Sequence, residues 1–221
     1  MKLGRRSVIV IASVVAIVCV GAGVWQIDRL GQRRATNALL AARLALPPIE
    51  LRGQGISADS ARERRIVAQG VYDFDRERIR PLRSFDGTPG VALITPLRLA
   101  DGSAVFVDRG WVPSPDAYHV DRALYREPDT ATVEGLGMIL PRGRYDVDPG
   151  ALRDSLPYRV LRFIVQQTGI AARQGLPRRW APPALDNGPH LSYAIQWFSF
   201  ALIIVVGTAA LLRKTTVLGQ S

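Results

Sequence analysis

Residues 7–27 read SVIVIASVVAIVCVGAGVWQI, 21 residues without a charge. At about 1.5 Å of rise per residue a helix of that length crosses a hydrocarbon layer of about 30 Å. A second uncharged run, LSYAIQWFSFALIIVVGTAALL, fills residues 191–212. Charged residues make up 22% of the chain, yet its mean hydropathy is slightly positive. The two facts agree because apolar residues are gathered at the two ends. Lys2, Arg5 and Arg6 precede the first run, and Arg213 and Lys214 follow the second. Basic residues beside a span favour the cytoplasmic side, so both ends are expected inside and the long middle outside. An even number of spans gives the same answer.

The expected organisation is a membrane α+β protein, a two-helix transmembrane hairpin carrying a β-rich, mainly antiparallel extracytoplasmic domain. Residues 1–6 form a cytoplasmic N-terminus, 7–27 the first span, 28–189 the outer domain, 190–212 the second span, and 213–221 a cytoplasmic C-terminus. Of the residues between the spans, enough remain for one domain with its own core. A cleaved signal peptide would open in the same way, with KLGRR and the small residues Gly21, Ala22 and Gly23. The length of the run, its ending in Trp25-Gln26 and its continuation into a helix-like segment favour a retained span. The single cysteine, Cys19, lies inside that run and reads as a small apolar packing or lipid-facing residue.

Residues 28–46 are rich in Leu, Ala, Arg and Gln, strong helix formers, and predict an outward basic extension of the first helix, stopped by Pro47-Pro48. A β-rich core is expected over 62–140, with strands at 65–72, 91–97, 104–111 and 131–140. Gly135 and Gly137 suggest a bulge or a close approach in the last of these. Asp86-Gly87 and Asp101-Gly102 are turn dipeptides, the second placed to close a hairpin. Residues 155–170 carry Leu156, Val160, Phe163, Ile164 and Gln167 at helical spacing and predict a helix.

The net charge of +10 does not point to nucleic acid. Five of the 29 basic residues flank the spans, and the others are interleaved with acids, as around Arg33, Arg34, Arg62, Arg64, Arg65, Arg76, Arg78, Arg80 and Arg83. No nucleic-acid-reading motif is present. The chain has two histidines, His119 and His190. No HExxH, no Cys/His cluster, no Gly-rich phosphate loop and no nucleophile elbow occurs. These features disfavour an enzyme.

His190 opens the second run. On a helix it shares a face with Tyr193, Ala194 and Trp197, with Trp197 about 10 Å deeper. The first run ends outward in Trp25-Gln26, followed by Arg29. Trp25, Gln26, Arg29, His190 and Tyr193 are therefore expected at one depth. An imidazole, aromatic walls and an arginine suit a haem: an axial ligand to the iron, ring surface and a propionate partner. An ordinary interfacial histidine is the other reading, because Trp and Tyr gather at membrane interfaces whatever the function. Gln196 lies below the interface and should seek a polar partner between helices, Gln26 being a candidate.

The motifs resemble the surfeit locus protein 1 family, called Shy-type in yeast, assembly factors for cytochrome c oxidase. Trp25-Gln26 with Arg29 is similar to the family's WQxxR. Gly90 with Thr95-Pro96-Leu97 is similar to its G…TPL segment. Residues 105–113, VFVDRGWVP, resemble VxVNRGWVP, with Asp108 where Asn is commoner. HLSYAIQWF at 190–198 resembles HLxYAxQWF. The resemblance covers nearly the whole chain. It implies a role in building the haem-bearing subunit of haem-copper oxidases, in the bacterial inner membrane or, in a eukaryote, the mitochondrial inner membrane. It also implies haem a bound through the histidine matching His190, with Trp25, Gln26, Arg29, Tyr193, Gln196 and Trp197 around it. The expected partners are oxidase subunits and the lipid bilayer. An accessory partner of the oxidase that never meets haem is the alternative. Arg109-Gly110-Trp111 is expected to be structural: a strand end, a tight turn and a core aromatic.

Overall fold

The computed structural model describes residues 4–52, 55–139, 156–169 and 175–218. The chain divides into two compact units, Met1–Ala41 with Leu185–Ser221, and Ala42–Ala184.

The first unit is a pair of helices, α1 (Arg5–Ala45) and α3 (His190–Leu218). α1 runs unbroken from the apolar stretch through the Leu/Ala/Arg segment and stops before Pro47-Pro48, whose rings and missing N–H groups cannot continue it. Both helices are long and apolar enough to cross a membrane. Their apolar side chains point mostly outward, as at Val10, Ile17, Leu202 and Ile203. The buried positions are small: Ala16, Cys19 and Gly23 on α1, Ala194 and Ala201 on α3. Gly23 meets the Phe198 ring, and a Cβ there would lie 2.6 Å from it. Small residues thus let the helices approach closely, and Cys19 is a packing residue.

The second unit is a mixed seven-stranded sheet in the order β1-β2-β6-β7-β5-β4-β3. Its strands are β1 (Ile49–Leu51), β2 (Arg65–Tyr72), β3 (Arg78–Phe85), β4 (Thr88–Arg98), β5 (Ala104–Pro113), β6 (Thr130–Met138) and β7 (Val160–Gln167). A short helix, α2 (Ala58–Ala61), is capped by the Ser57 hydroxyl, which accepts from the Ser60 N–H. β2 also pairs with β4 at Val71–Arg98 and Tyr72–Leu97, so β2, β6, β7, β5 and β4 close on themselves. Most pairings are antiparallel, but β1–β2 and β5–β7 are parallel, which the strand-and-turn pattern did not anticipate. Asp86-Gly87, both at positive φ, turns β3 into β4, and the Asp101-Gly102 turn joins β4 to β5. Gly137 on β6 is a close approach, set against the Ala61 carbonyl.

The helix expected over 155–170 is corrected to a strand, β7; its two end residues lie outside the described ones, as does Leu140 of the expected strand 131–140. Leu161, Phe163 and Val165 enter one core cluster, with Val105, Val107 and Leu97. Val160 and Ile164 enter another, with Phe106, Ala92 and Ile94. A strand buried on both faces is apolar almost throughout, and its spacing satisfies a helical template by accident. β4 and β5 are covered on both faces in the same way.

Candidate functional site

His190 is presented by the turn that opens α3. Gly188, at φ 64°, reverses the chain, and its N–H is held by Asp186 Oδ1 at 2.8 Å. Pro189 starts the first turn, its carbonyl accepting from the Tyr193 N–H at 3.1 Å and the Ser192 hydroxyl at 2.8 Å. α1 pins this strap: Asn37 Nδ2 and Arg33 Nε both donate to the Asp186 carbonyl, at 2.7 and 3.2 Å. The half-buried imidazole faces α1, with Nδ1 2.9 Å from Gln26 Oε1. An amide oxygen only accepts, so Nδ1 carries the proton in this arrangement. The Nε2 edge lies toward Gly188, where an added Cβ would stand 3.5 Å from Nε2.

A groove of about 420 Å³ runs beside the ring, lined by Arg29, Gln32, Arg33, Thr36, Asp186, Gly188 and His190. Arg29 Nη1 donates to Gln32 Oε1 at 2.8 Å, and Gln32 Nε2 donates to Asp28 Oδ2 at 2.8 Å. The groove offers two guanidinium groups and one imidazole nitrogen on a polar wall. No group of three or more His, Cys, Asp or Glu side chains able to hold a metal ion occurs among the described residues. A bare ion would therefore lack ligands here. A haem brings four nitrogens of its own and asks the protein for an axial one, so this donor set fits a haem.

Of the expected site residues, the structure brings together His190, Gln26 and Arg29. Trp25 and Tyr193 are exposed at 58% and 47% and do not line the groove. Gln196 is exposed and is not the partner of Gln26, whose amide oxygen faces His190 instead. Trp197 packs edge-on against Phe200, centroids 5.9 Å apart. Sequence reasoning missed Gln32, Arg33, Thr36 and Gly188. The first three follow Arg29 at helical spacing, a signal that could have found them.

The VFVDRGWVP segment is β5, and it builds a different polar cluster in the second unit. Leu93 pairs with Gly110 while Ile94 pairs with Asp108, which leaves Arg109 as the extra residue of a β-bulge. Gly110 takes φ 117°, and a Cβ there would lie 2.3 Å from the Arg178 carbonyl oxygen. The Arg109 side chain is fully buried. Its Nη1 donates to Glu77 Oε2 at 2.6 Å, its Nε to Glu127 Oε2 at 2.9 Å, and its Nη2 to the Tyr125 carbonyl. The Phe74 ring lies 5.0 Å from its guanidinium carbon. Arg179 donates to Glu127 and to the Arg109 carbonyl. Asp108, also buried, accepts from Trp180 Nε1 at 2.9 Å and the Gly110 N–H at 3.1 Å. Burial pushes its carboxyl above the ordinary aspartate range, against those hydrogen bonds and the Arg80 and Arg83 charges.

Residues 13–202 match the model of the SURF1 family, a span that begins inside α1 and ends inside α3. An uncharacterized SURF1-like protein of Mycobacterium bovis is 27% identical over 205 residues, covering 83% of this chain and 73% of its own. Its Mycobacterium tuberculosis counterpart matches at the same level. A SURF1-like protein of Monosiga brevicollis is 28% identical over 228 residues, 90% of this chain and 85% of its own.

Proposed function

The chain belongs to the SURF1 family, and from that premise we propose that it is a membrane-anchored assembly factor for haem-copper (cytochrome c) oxidase that holds haem a through His190 and catalyses no turnover. The observation that carries this reading is the imidazole itself. One nitrogen is engaged by Gln26, and the residue lines a groove together with Arg29 and Arg33. The arginines suit propionate carboxylates. When bound, the haem would supply an iron centre, and His190 would be the residue that holds it.

The bilayer reading rests on exposure as well as hydropathy. Only 17% of the apolar window of α1 and 6% of that of α3 are buried. A core helix of a soluble protein is covered, whereas these bare apolar faces suit lipid. The basic flanks favour both termini in the cytoplasm and the sheet unit outside, in a bacterial inner membrane or the mitochondrial equivalent. The partner is then the haem-bearing oxidase subunit as it is built.

The test is the absorption spectrum of the full chain purified in detergent from haem-replete cells lacking the oxidase. A Soret band is expected, lost or strongly altered in His190→Ala and unchanged in His119→Ala. Arg29→Ala should lower haem retention without changing the axial spectrum. Absence of any band in the wild type overturns haem binding. Exposed Leu82 and Leu124 on the sheet unit, at 67% and 75%, favour a second reading, an accessory oxidase partner without haem. That reading leads if His190→Ala also leaves oxidase assembly normal.

A further inference from the structure

We infer that Gln26 is a positioning residue that fixes His190 in the Nδ1–H tautomer, so that Nε2 is the nitrogen offered to a ligand; its role toward haem rests on the reading above. Three observations carry it. The first is the 2.9 Å contact between His190 Nδ1 and Gln26 Oε1, made between two separate helices. A neutral imidazole carries one N–H, and an acceptor on Nδ1 claims it. The second is the opposite edge of the ring. Nε2 lies toward Gly188, a residue without a side chain, and Gly188 and His190 line the groove together with Arg29 and Arg33. The third is the anchoring of each end. Gln26 sits one turn beyond the tight Gly23–Phe198 contact of the two helices. Asn37 and Arg33 hold the strap before His190. The acceptor is thus placed beside a close helix contact, and the ring by a strap whose Asp186 carbonyl is held from α1.

Ligating histidines are oriented by the hydrogen bond on the other nitrogen, and loss of that partner costs about 10- to 100-fold in affinity. A glutamine gives the tautomer without a negative charge. A carboxylate at position 26 would strengthen the donor.

The tautomer can be read without haem. In ¹⁵N-labelled full-length protein in detergent, a His119→Gln background leaves His190 as the sole imidazole, and long-range ring correlations report which nitrogen carries the proton. Nδ1–H is expected. Gln26→Leu should shift the population so that Nε2–H becomes the major form, and Gln26→Glu, an acceptor of the same length, should restore Nδ1–H. In haem-loaded protein Gln26→Leu should release haem about 10- to 100-fold more readily, and Gln26→Glu should lower the reduction potential. A wild-type Nε2–H form, or a tautomer indifferent to Gln26→Leu, overturns the inference. The two failures are separable. Haem bound with a tautomer indifferent to Gln26 defeats this inference alone. Nδ1–H that depends on Gln26, in a protein with no Soret band, defeats haem binding alone.

Discussion

The arginine cluster of the sheet and the histidine at the head of α3 are both polar groups withdrawn from water, yet they are finished to different degrees. Around Arg109, carboxylates, a backbone carbonyl and an aromatic ring close on a guanidinium with no exposed surface. Around His190, one ring nitrogen is satisfied and the other edge opens beside a groove. A buried polar group whose partners all come from its own fold has nothing left to offer a ligand, and its free energy goes into holding strands together. A half-satisfied ring at an opening keeps one interaction in reserve. The two most distinctive motifs of the chain therefore differ in kind: VFVDRGWVP is architecture, and HLSYAIQWF carries the candidate chemistry.

The largest expected effect breaks the architectural side. Arg109→Ala would leave buried Glu77 without its arginine and part-buried Glu127 with Arg179 alone, and breaking a buried ion pair from one side costs about 3–5 kcal/mol. Equilibrium unfolding of the full chain in detergent should show a loss of that size, or no folded sheet unit. A loss near that of an ordinary surface change would refute the view of a satisfied, stabilising cluster. Next is Gly110→Ala. Its backbone sits in the left-handed region and its Cβ would collide with the Arg178 carbonyl. Strained φ/ψ alone costs about 1–3 kcal/mol, so the melting point should fall by several degrees, with the parallel β5–β7 pairing and the Trp111–Arg178 bridge beside it most affected.

How much of this was legible depended on sequence distance and on the number of buried faces. The apolar ends were plain, because long uncharged runs need no partner to be recognised. Gln26, Arg29 and His190 could be gathered although 164 residues separate Gln26 from His190, because each flanks an apolar run and the runs set a common depth. Arg33 and Thr36 were missed although they follow Arg29 on the same helical face. The strands of the β4–β5 hairpin were legible from Asp101-Gly102. β7 was not: with both faces buried it lost its alternation and read as a helix. β3 was hidden by Arg78, Arg80 and Arg83, which interrupt any apolar alternation and are in fact part of an edge strand. Glu77, Glu127 and Arg179 gave no local signal, since each meets Arg109 only through the closure of the sheet.

The contrast between the two clusters is sharpened by His190→Ala. If the ring is held in reserve for a ligand, its removal from haem-free protein forfeits little more than the bond to Gln26, about 1 kcal/mol. The same unfolding experiment should therefore show a change several-fold smaller than for Arg109→Ala, alongside loss of the Soret band in haem-loaded protein. A His190→Ala variant as unstable as Arg109→Ala would make the histidine another structural group.

The smallest effect, and one of opposite sign, is expected at Asp108, where the family resemblance has Asn more commonly. Burial raises the carboxyl in the folded state above its ordinary value. Between those two values the folded protein binds more protons than the unfolded one, so stability falls as pH rises from the ordinary aspartate value through the raised one, and then stays at the lower level. Asn at this position cannot ionise, and its side-chain oxygen can still accept from the Trp180 and Gly110 N–H groups. Asp108→Asn should thus remove the descent in that acidic window and leave the protein slightly more stable at neutral pH. Unfolding midpoints of both proteins across the window test this. Parallel curves would mean that Arg80 and Arg83, whose charges oppose the effect of burial, already offset the cost of the ionised carboxylate; Asp108 would then be a paired charge, and the architectural cluster would extend from Arg109 to β3.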